Sequence, residues 1–183
     1  MSLNVEALDM RISSIFEPLS LSLSSDDHVK DQRTFTDYYV GYGFFGGLTE
    51  LSTDTMYAVK MAIGGTLIVT STPVALPMTV TLNSGWTFLP CPYRTPVDLV
   101  DGAPTFAFSE GDLFKSQTRF AEFYSLIGTF YGTLLTIEPG AGYKVRTTAG
   151  GSATFEARPK IAVESELRLR CTLCSAIPQC PSL

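Results

Sequence analysis

The chain has 183 residues, of which 45% are hydrophobic and 17% charged, with a formal net charge of −5. That supply of apolar side chains is enough for a core and excludes wholesale disorder. An acidic balance with no Lys/Arg cluster excludes the usual nucleic-acid surface and disfavours an anionic membrane surface, and no run reaches the roughly 18 apolar residues of a bilayer span.

The N-terminal stretch MSLNVEALDMRISSI is weakly amphipathic and interrupted by Glu6 and Asp9, so it is no signal peptide and reads as a lead-in over 1–15. Next comes DHVKDQRTFTDYYVGYG (27–43), rich in β-branched and aromatic residues and ending in glycines, which predicts a strand or a strand and turn. TLIVTS (66–71), MTVTLNS (78–84) and YKVRTT (143–148) alternate or are β-branched, as strands require. FKSQTRFAEFYSLIG (114–128) places Phe120, Phe123, Tyr124 and Ile127 at helical spacing, yet its first-half twin is strand-like, so a strand is expected here too. Pro139 and Gly140 predict a tight turn, and the pairs Gly64-Gly65 and Gly150-Gly151 predict hairpin turns with positive φ. AVESELRLR (162–170) is open to strand or helix, and a Cys- and Pro-containing tail closes the chain.

The twin relation extends through the chain. At an offset of 85, Asp27, Lys30, Gln32, Phe35 and Tyr39 match Asp112, Lys115, Gln117, Phe120 and Tyr124. After a one-residue slip, Gly46, Leu48, Tyr57 and Val59 match Gly132, Leu134, Tyr143 and Val145. The expected architecture is therefore all-β, or mostly β, with two tandem copies of a module of about 85 residues. The divisions expected are a lead-in (1–15), a first copy (16–72), a second copy (73–158) and a tail (159–183). The second copy opens with TVTLNSGWTFLPCPY; in the first, MSLNVEALDMRISSI stands in place of Gly85-Trp86, and that copy is read as lacking its N-terminal strand, either by truncation or in a circular arrangement whose missing strand comes from elsewhere.

At GWTFLPCPY, GDLFKSQTRFAEFY and GTFYGTLLTIEPGAGYKV the second copy resembles a module of repetitive proteins of algae and bacteria. Its pattern is met by Gly85, Trp86, Asp112, Lys115, Ser116, Gln117, Phe120, Tyr124, Gly132, Leu134, Pro139, Gly140, Tyr143 and Val145. Thr87, Arg146 and, in the first copy, Asp54-Thr55 depart from it. The resemblance implies a part of a large surface-associated or secreted protein with no catalytic role.

The residues themselves point the same way. His28, the only histidine, aligns with Leu113, so no histidine-based dyad belongs to the repeated unit. Cys91 reads as a small core residue rather than a nucleophile. GYGFFGG lacks the Lys-Ser/Thr of a phosphate loop, and Cys171, Cys174 and Cys180 supply only three of the four ligands a closed zinc site wants. Asp26 and Asp27, like Glu110 and Asp112, suit either a calcium loop or turn caps accepting backbone N–H groups, the latter preferred. Lys30 with Gln32, and Lys115 with Gln117, are expected to share one strand face, as candidate ligand-binding pairs or as partners of a neighbouring loop's backbone groups, the latter preferred. Trp86, Phe120, Tyr124 and Tyr143 are expected in the core, leaving Tyr42, Phe44 and Tyr131, between or beside glycines, as candidate ligand platforms. The expectation is a non-enzymatic, extracellular or cell-surface adhesion or structural module, with no cofactor or metal. A glycan is the candidate ligand and neighbouring modules are partners. An accessory subunit docking onto a larger protein complex is the alternative.

Overall fold

The alternating and β-branched runs do become strands, and the chain is mostly β. A computed structural model describes residues 1–157 and the backbone of Cys171–Thr172. The first half carries β1 (Val5–Glu6), the short helix α1 (Ile12–Phe16), β2 (Asp27–Lys30), β3 (Phe35–Tyr39), β4 (Gly43–Gly46), β5 (Ala58–Lys60), β6 (Thr66–Leu67) and β7 (Thr72–Pro73). The second half carries β8 (Met78–Leu82), β9 (Gly85–Leu89), β10 (Val97–Asp98), α2 (Leu99–Gly102), β11 (Leu113–Lys115), β12 (Phe120–Tyr124), β13 (Thr129–Gly132), β14 (Thr136–Ile137), β15 (Tyr143–Thr147) and β16 (Gly151–Phe155). β17 (Cys171–Thr172) comes last.

Each half centres on one antiparallel sheet, in the order β4-β3-β2-β5 in the first and β13-β12-β11-β15-β9 in the second. The register repeats with the sequence offset. Val29 lies opposite Thr36 and Val59, and Phe114 lies opposite Ala121 and Val145. Gly46 faces Thr36 as Gly132 faces Ala121. Hydrogen bonds repeat too: Ser52 N–H donates to the Tyr57 hydroxyl at 2.6 Å, and Glu138 N–H to the Tyr143 hydroxyl at 2.8 Å.

Pleating decides which side chains are buried. In β12, Ala121 points inward while Phe120 and Tyr124 point out; in β15, Tyr143, Val145 and Thr147 point inward. Two cores result. One gathers Leu3, Ile12, Phe16, Val29, Tyr57 and Leu67; the other gathers Leu82, Leu89, Phe114, Phe130, Val145 and Phe155. In the second, Phe108, Phe114 and Phe130 pack edge to face at 4.9 to 6.2 Å, an arrangement that suits the ring quadrupoles.

Several expectations need correction. The lead-in is no separate segment: Leu3, Val5, Ile12 and Ile15 are buried in the first core and β1 pairs with β7. Nor does it stand where Gly85-Trp86 stands. Ile12 N–H donates to Thr49 O at 3.0 Å as Leu99 N–H donates to Leu135 O at 2.7 Å, so α1 answers to α2. Gly64-Gly65 and Gly150-Gly151 have no positive φ. A Cβ on Gly150 would lie 3.0 Å from Ser84 N, so close backbone approach explains that glycine. Only Thr66–Leu67 of TLIVTS is strand. The stretch 162–170 and most of the tail lie outside the described residues. The Pro139 and Gly140 turn forms as expected, with Gly140 at φ +77° and Ala141 N–H donating to Glu138 O at 3.1 Å, a type II arrangement.

The halves meet through polar atoms near the N-terminus. Buried Asn4 donates from Nδ2 to Tyr93 O at 2.8 Å, and the Ser2 hydroxyl donates to Ala141 O at 2.6 Å while accepting from Cys91 N–H at 3.0 Å. These bonds replace water for the Ser2 hydroxyl and the Asn4 amide nitrogen, whereas Asn4 Oδ1 is buried with no hydrogen-bond partner among the described residues.

Candidate functional site: the outer sheet faces

Residues directly opposite in a sheet share a face, so the register reads off what each outer face presents. Across the second sheet runs the row Tyr131, Glu122, Leu113, Arg146, Trp86. Across the first runs the equivalent row Phe45, Asp37, His28, Lys60. Both rows start with an aromatic ring and a carboxylate and carry a cation on the strand after next. Flanking rings repeat as well: Tyr39 meets Phe45 edge to face at 6.0 Å, and Tyr124 meets Tyr131 likewise at 6.5 Å. Trp86, Tyr124 and Tyr39 are about 40% exposed and Tyr131 is 72% exposed. These rings thus have one side free.

Local contacts fix the groups. Arg146 sits over the Trp86 ring at 5.9 Å and donates to Gly111 O at 3.2 Å. Lys144 sits over Phe88 at 4.9 Å. Such cation–ring contacts hold the indole and the bases in one orientation. In the first sheet His28 Nδ1 lies 2.7 Å from Asp37 Oδ1, and its ring is 5.4 Å from Phe35.

The expected site residues scatter. Tyr131 lies on the outer row, and Tyr42 stands at the β3–β4 tip, 81% exposed. Phe44 points the other way, edge to face with Phe16 at 5.6 Å and Tyr38 at 5.1 Å, so it packs on the first core. Lys30 and Lys115 end β2 and β11, whereas Gln32 and Gln117 lie in the turns that follow, so neither pair shares a strand. The Gln32 amide donates to Trp86 O at 2.7 Å and accepts from Phe88 N–H at 2.9 Å. Trp86, Phe120 and Tyr124, expected in the core, are on the outer face; of the four only Tyr143 is buried. Alternation along the sequence marks two faces without saying which is wet, which is why the sequence reading placed these three rings in the core.

The paired aspartates are structural. Asp27 accepts from Ser24 N–H at 2.9 Å and Ala62 N–H at 2.7 Å; Asp112 accepts from Ser109 N–H at 2.8 Å and Thr148 N–H at 2.8 Å. Each ties the loop before its strand to the loop after the sheet's next neighbour. No cluster of three or more His, Cys, Asp or Glu that could hold a metal occurs among the described residues.

Burial pushes the Cys91 thiol up to about 12 from its ordinary 9.0, and raises the Tyr57 and Tyr143 phenols above 10.0. Cys91 is therefore protonated and shielded at neutral pH, and a thiol reagent such as DTNB is expected to reach it only after unfolding. The charged form of each group is disfavoured in the fold, so the stabilisation is complete below the ordinary values. It is lost as pH rises from about 9 through 12, and the urea midpoint is expected to fall across that window.

No family model matches the chain, and no curated protein or solved structure matches it either.

Proposed function

We propose that the chain is a non-catalytic binding module, two copies of one β unit within an extracellular or cell-surface repetitive protein, that takes up glycans on its outer sheet faces. The observation that carries this reading is the repeated row of exposed aromatic ring, carboxylate and cation, at equivalent register positions in both sheets. An open ring stacks on the apolar face of a pyranose, while the neighbouring carboxylate accepts from sugar hydroxyls and the base donates to ring substituents. Two such faces on one chain add avidity for a repeating polymer.

The test is a glycan array on the whole chain, followed by titration of the best ligand. Tyr131→Ala is expected to weaken binding about 5- to 10-fold, the loss of one stacking contact of about 1–1.5 kcal/mol, with an unchanged circular dichroism spectrum. Tyr131→Ala that binds every ligand as the parent does removes the reading. The loop residues Leu126 (97% exposed) and Tyr42 favour a second reading, an accessory subunit docked onto a protein complex. Self-association in size exclusion, relieved by Leu126→Ser, supports that second reading.

A further inference from the structure

The outer face of the second sheet carries a second row beside the one that ends in Tyr131 and Trp86. It runs Phe120, Lys115, Lys144, Phe88, each directly opposite the next across β12, β11, β15 and β9. Arg146 follows Lys144 by two residues in β15, so its side chain leaves on the same face. Register thus gathers two cations of β15 and one of β11, far apart in sequence, on a chain whose net charge is −5. Glu122 is the carboxylate of the two rows, and it stands two strands away from Arg146.

Two of the cations face each other. Lys115 and Lys144 are directly opposite, and like charges at opposite positions destabilise a sheet. The first half avoids that cost: Lys30, the equivalent of Lys115, stands opposite Ala58, the equivalent of Lys144. The described ion pairs, Arg11 with Asp9 and His28 with Asp37, lie elsewhere. Aromatic rings hold the cations in place instead. Lys144 Nζ lies over Phe88 at 4.9 Å and the Arg146 guanidinium over Trp86 at 5.9 Å. Arg146 gives Gly111 O a single hydrogen bond at 3.2 Å, which leaves its other donors for a ligand.

We propose that the second outer face selects acidic glycans, seating a carboxylate or sulfate of the sugar among Lys115, Lys144 and Arg146. The inference rests on the glycan reading above and narrows it. An anion seated there turns the repulsion between Lys115 and Lys144 into charge-assisted hydrogen bonds. Both rows end in aromatic rings, Phe120 and Phe88 in one, Tyr131 and Trp86 in the other, so sugars on either side of the acid group meet an apolar surface. With strands about 4.8 Å apart, the longer row spans about 19 Å, the reach of about four pyranose rings in an extended chain. Few cations on an acidic protein suit a chain with sparse acid groups better than one charged at every unit, such as a nucleic acid.

Titration calorimetry on the whole chain tests it with two matched pairs of probes, oligogalacturonate against its methyl ester and a sulfated galactan oligosaccharide against its desulfated form. At least one acidic probe is expected to bind about 10-fold or more tightly than its neutral counterpart, and to weaken as salt rises. The pair that shows the larger preference tells whether a carboxylate or a sulfate ester supplies the anion. Lys144→Met keeps an apolar stem over Phe88 without the charge, and is expected to cut the preference to about 2-fold or less. Equal affinity for acidic and neutral probes overturns the inference and leaves the glycan reading standing. A preference that survives both Lys144→Met and Lys115→Met also overturns it, placing the anion elsewhere. Oligo(dT) bound as tightly as the acidic sugar overturns it in favour of a nucleic acid. A glycan array on which the chain finds no ligand at all removes this inference together with the reading it rests on.

Discussion

Gly132→Ala is expected to cost about 3 kcal/mol, read as a fall in the urea midpoint at constant slope. The backbone conformation is not the obstacle, because Gly132 has no positive φ. The obstacle is space: a Cβ there would collide with the Phe120 carbonyl oxygen and lie 2.7 Å from Ala121 Cα. That carbonyl cannot retreat, since it accepts from both Thr133 N–H at 2.8 Å and Leu134 N–H at 2.9 Å, the bonds that turn the chain away from the sheet. Gly46 meets the Phe35 carbonyl and Thr36 Cα in the same way, and Gly46→Ala is expected to match it. Gly128→Ala provides the contrast. Its φ is +66° with nothing near the Cβ position, so only the left-handed conformation is penalised, at about 1 kcal/mol. Equal losses at Gly132 and Gly128 would mean that the crowding at Gly132 relaxes.

Asp112→Ala is the second large loss, about 2–3 kcal/mol by the same measurement. The buried carboxylate accepts from Ser109 N–H, Thr148 N–H and the Thr148 hydroxyl, the last at 3.0 Å, and hydrogen bonds to a charged acceptor are worth more than neutral ones. Alanine strands these donors, although water reaches part of the exposed loops and softens the cost. Asp112→Asn keeps one acceptor oxygen and is expected to lose about half as much. Asp27 has two donors rather than three, so Asp27→Ala is expected to fall slightly below Asp112→Ala. A calcium-dependent midpoint in the parent, abolished by Asp112→Asn, would contradict the capping role.

The strands of 27–39 and 112–124 were legible because two sequences had to share one answer. Helical spacing at Phe120, Phe123 and Tyr124 loses to the strand reading only when Thr34, Thr36 and Tyr38 are considered beside it. The aspartate caps and the Pro139 turn were legible because their mechanism is local. The N-terminal segment was not: α1 spans five residues, too few to display a period, and its burial depends on contacts with residues about 40 positions away. The outward aromatics were missed for a related reason. A period of two assigns Phe120 and Tyr124 to one face, and only the small Ala121 on the other face, backed by Phe114 and Phe130, decides which side is filled. β17 was hidden by its composition, since Cys and Thr between arginine and leucine look like tail until their partner in β6 is known.

The side-chain amide of Gln32 copies one peptide unit against β9, offering a donor and an acceptor at the spacing another strand would use. A sheet margin with unclaimed carbonyls and N–H groups recruits foreign chains and seeds aggregation. One neutral residue thus closes the margin at Trp86 and Phe88 with no charge and no proline, leaving the adjoining aromatic face flat and open. Gln32→Leu uncovers both backbone groups, and its expected signature is concentration-dependent turbidity with thioflavin binding at a temperature where the parent stays clear.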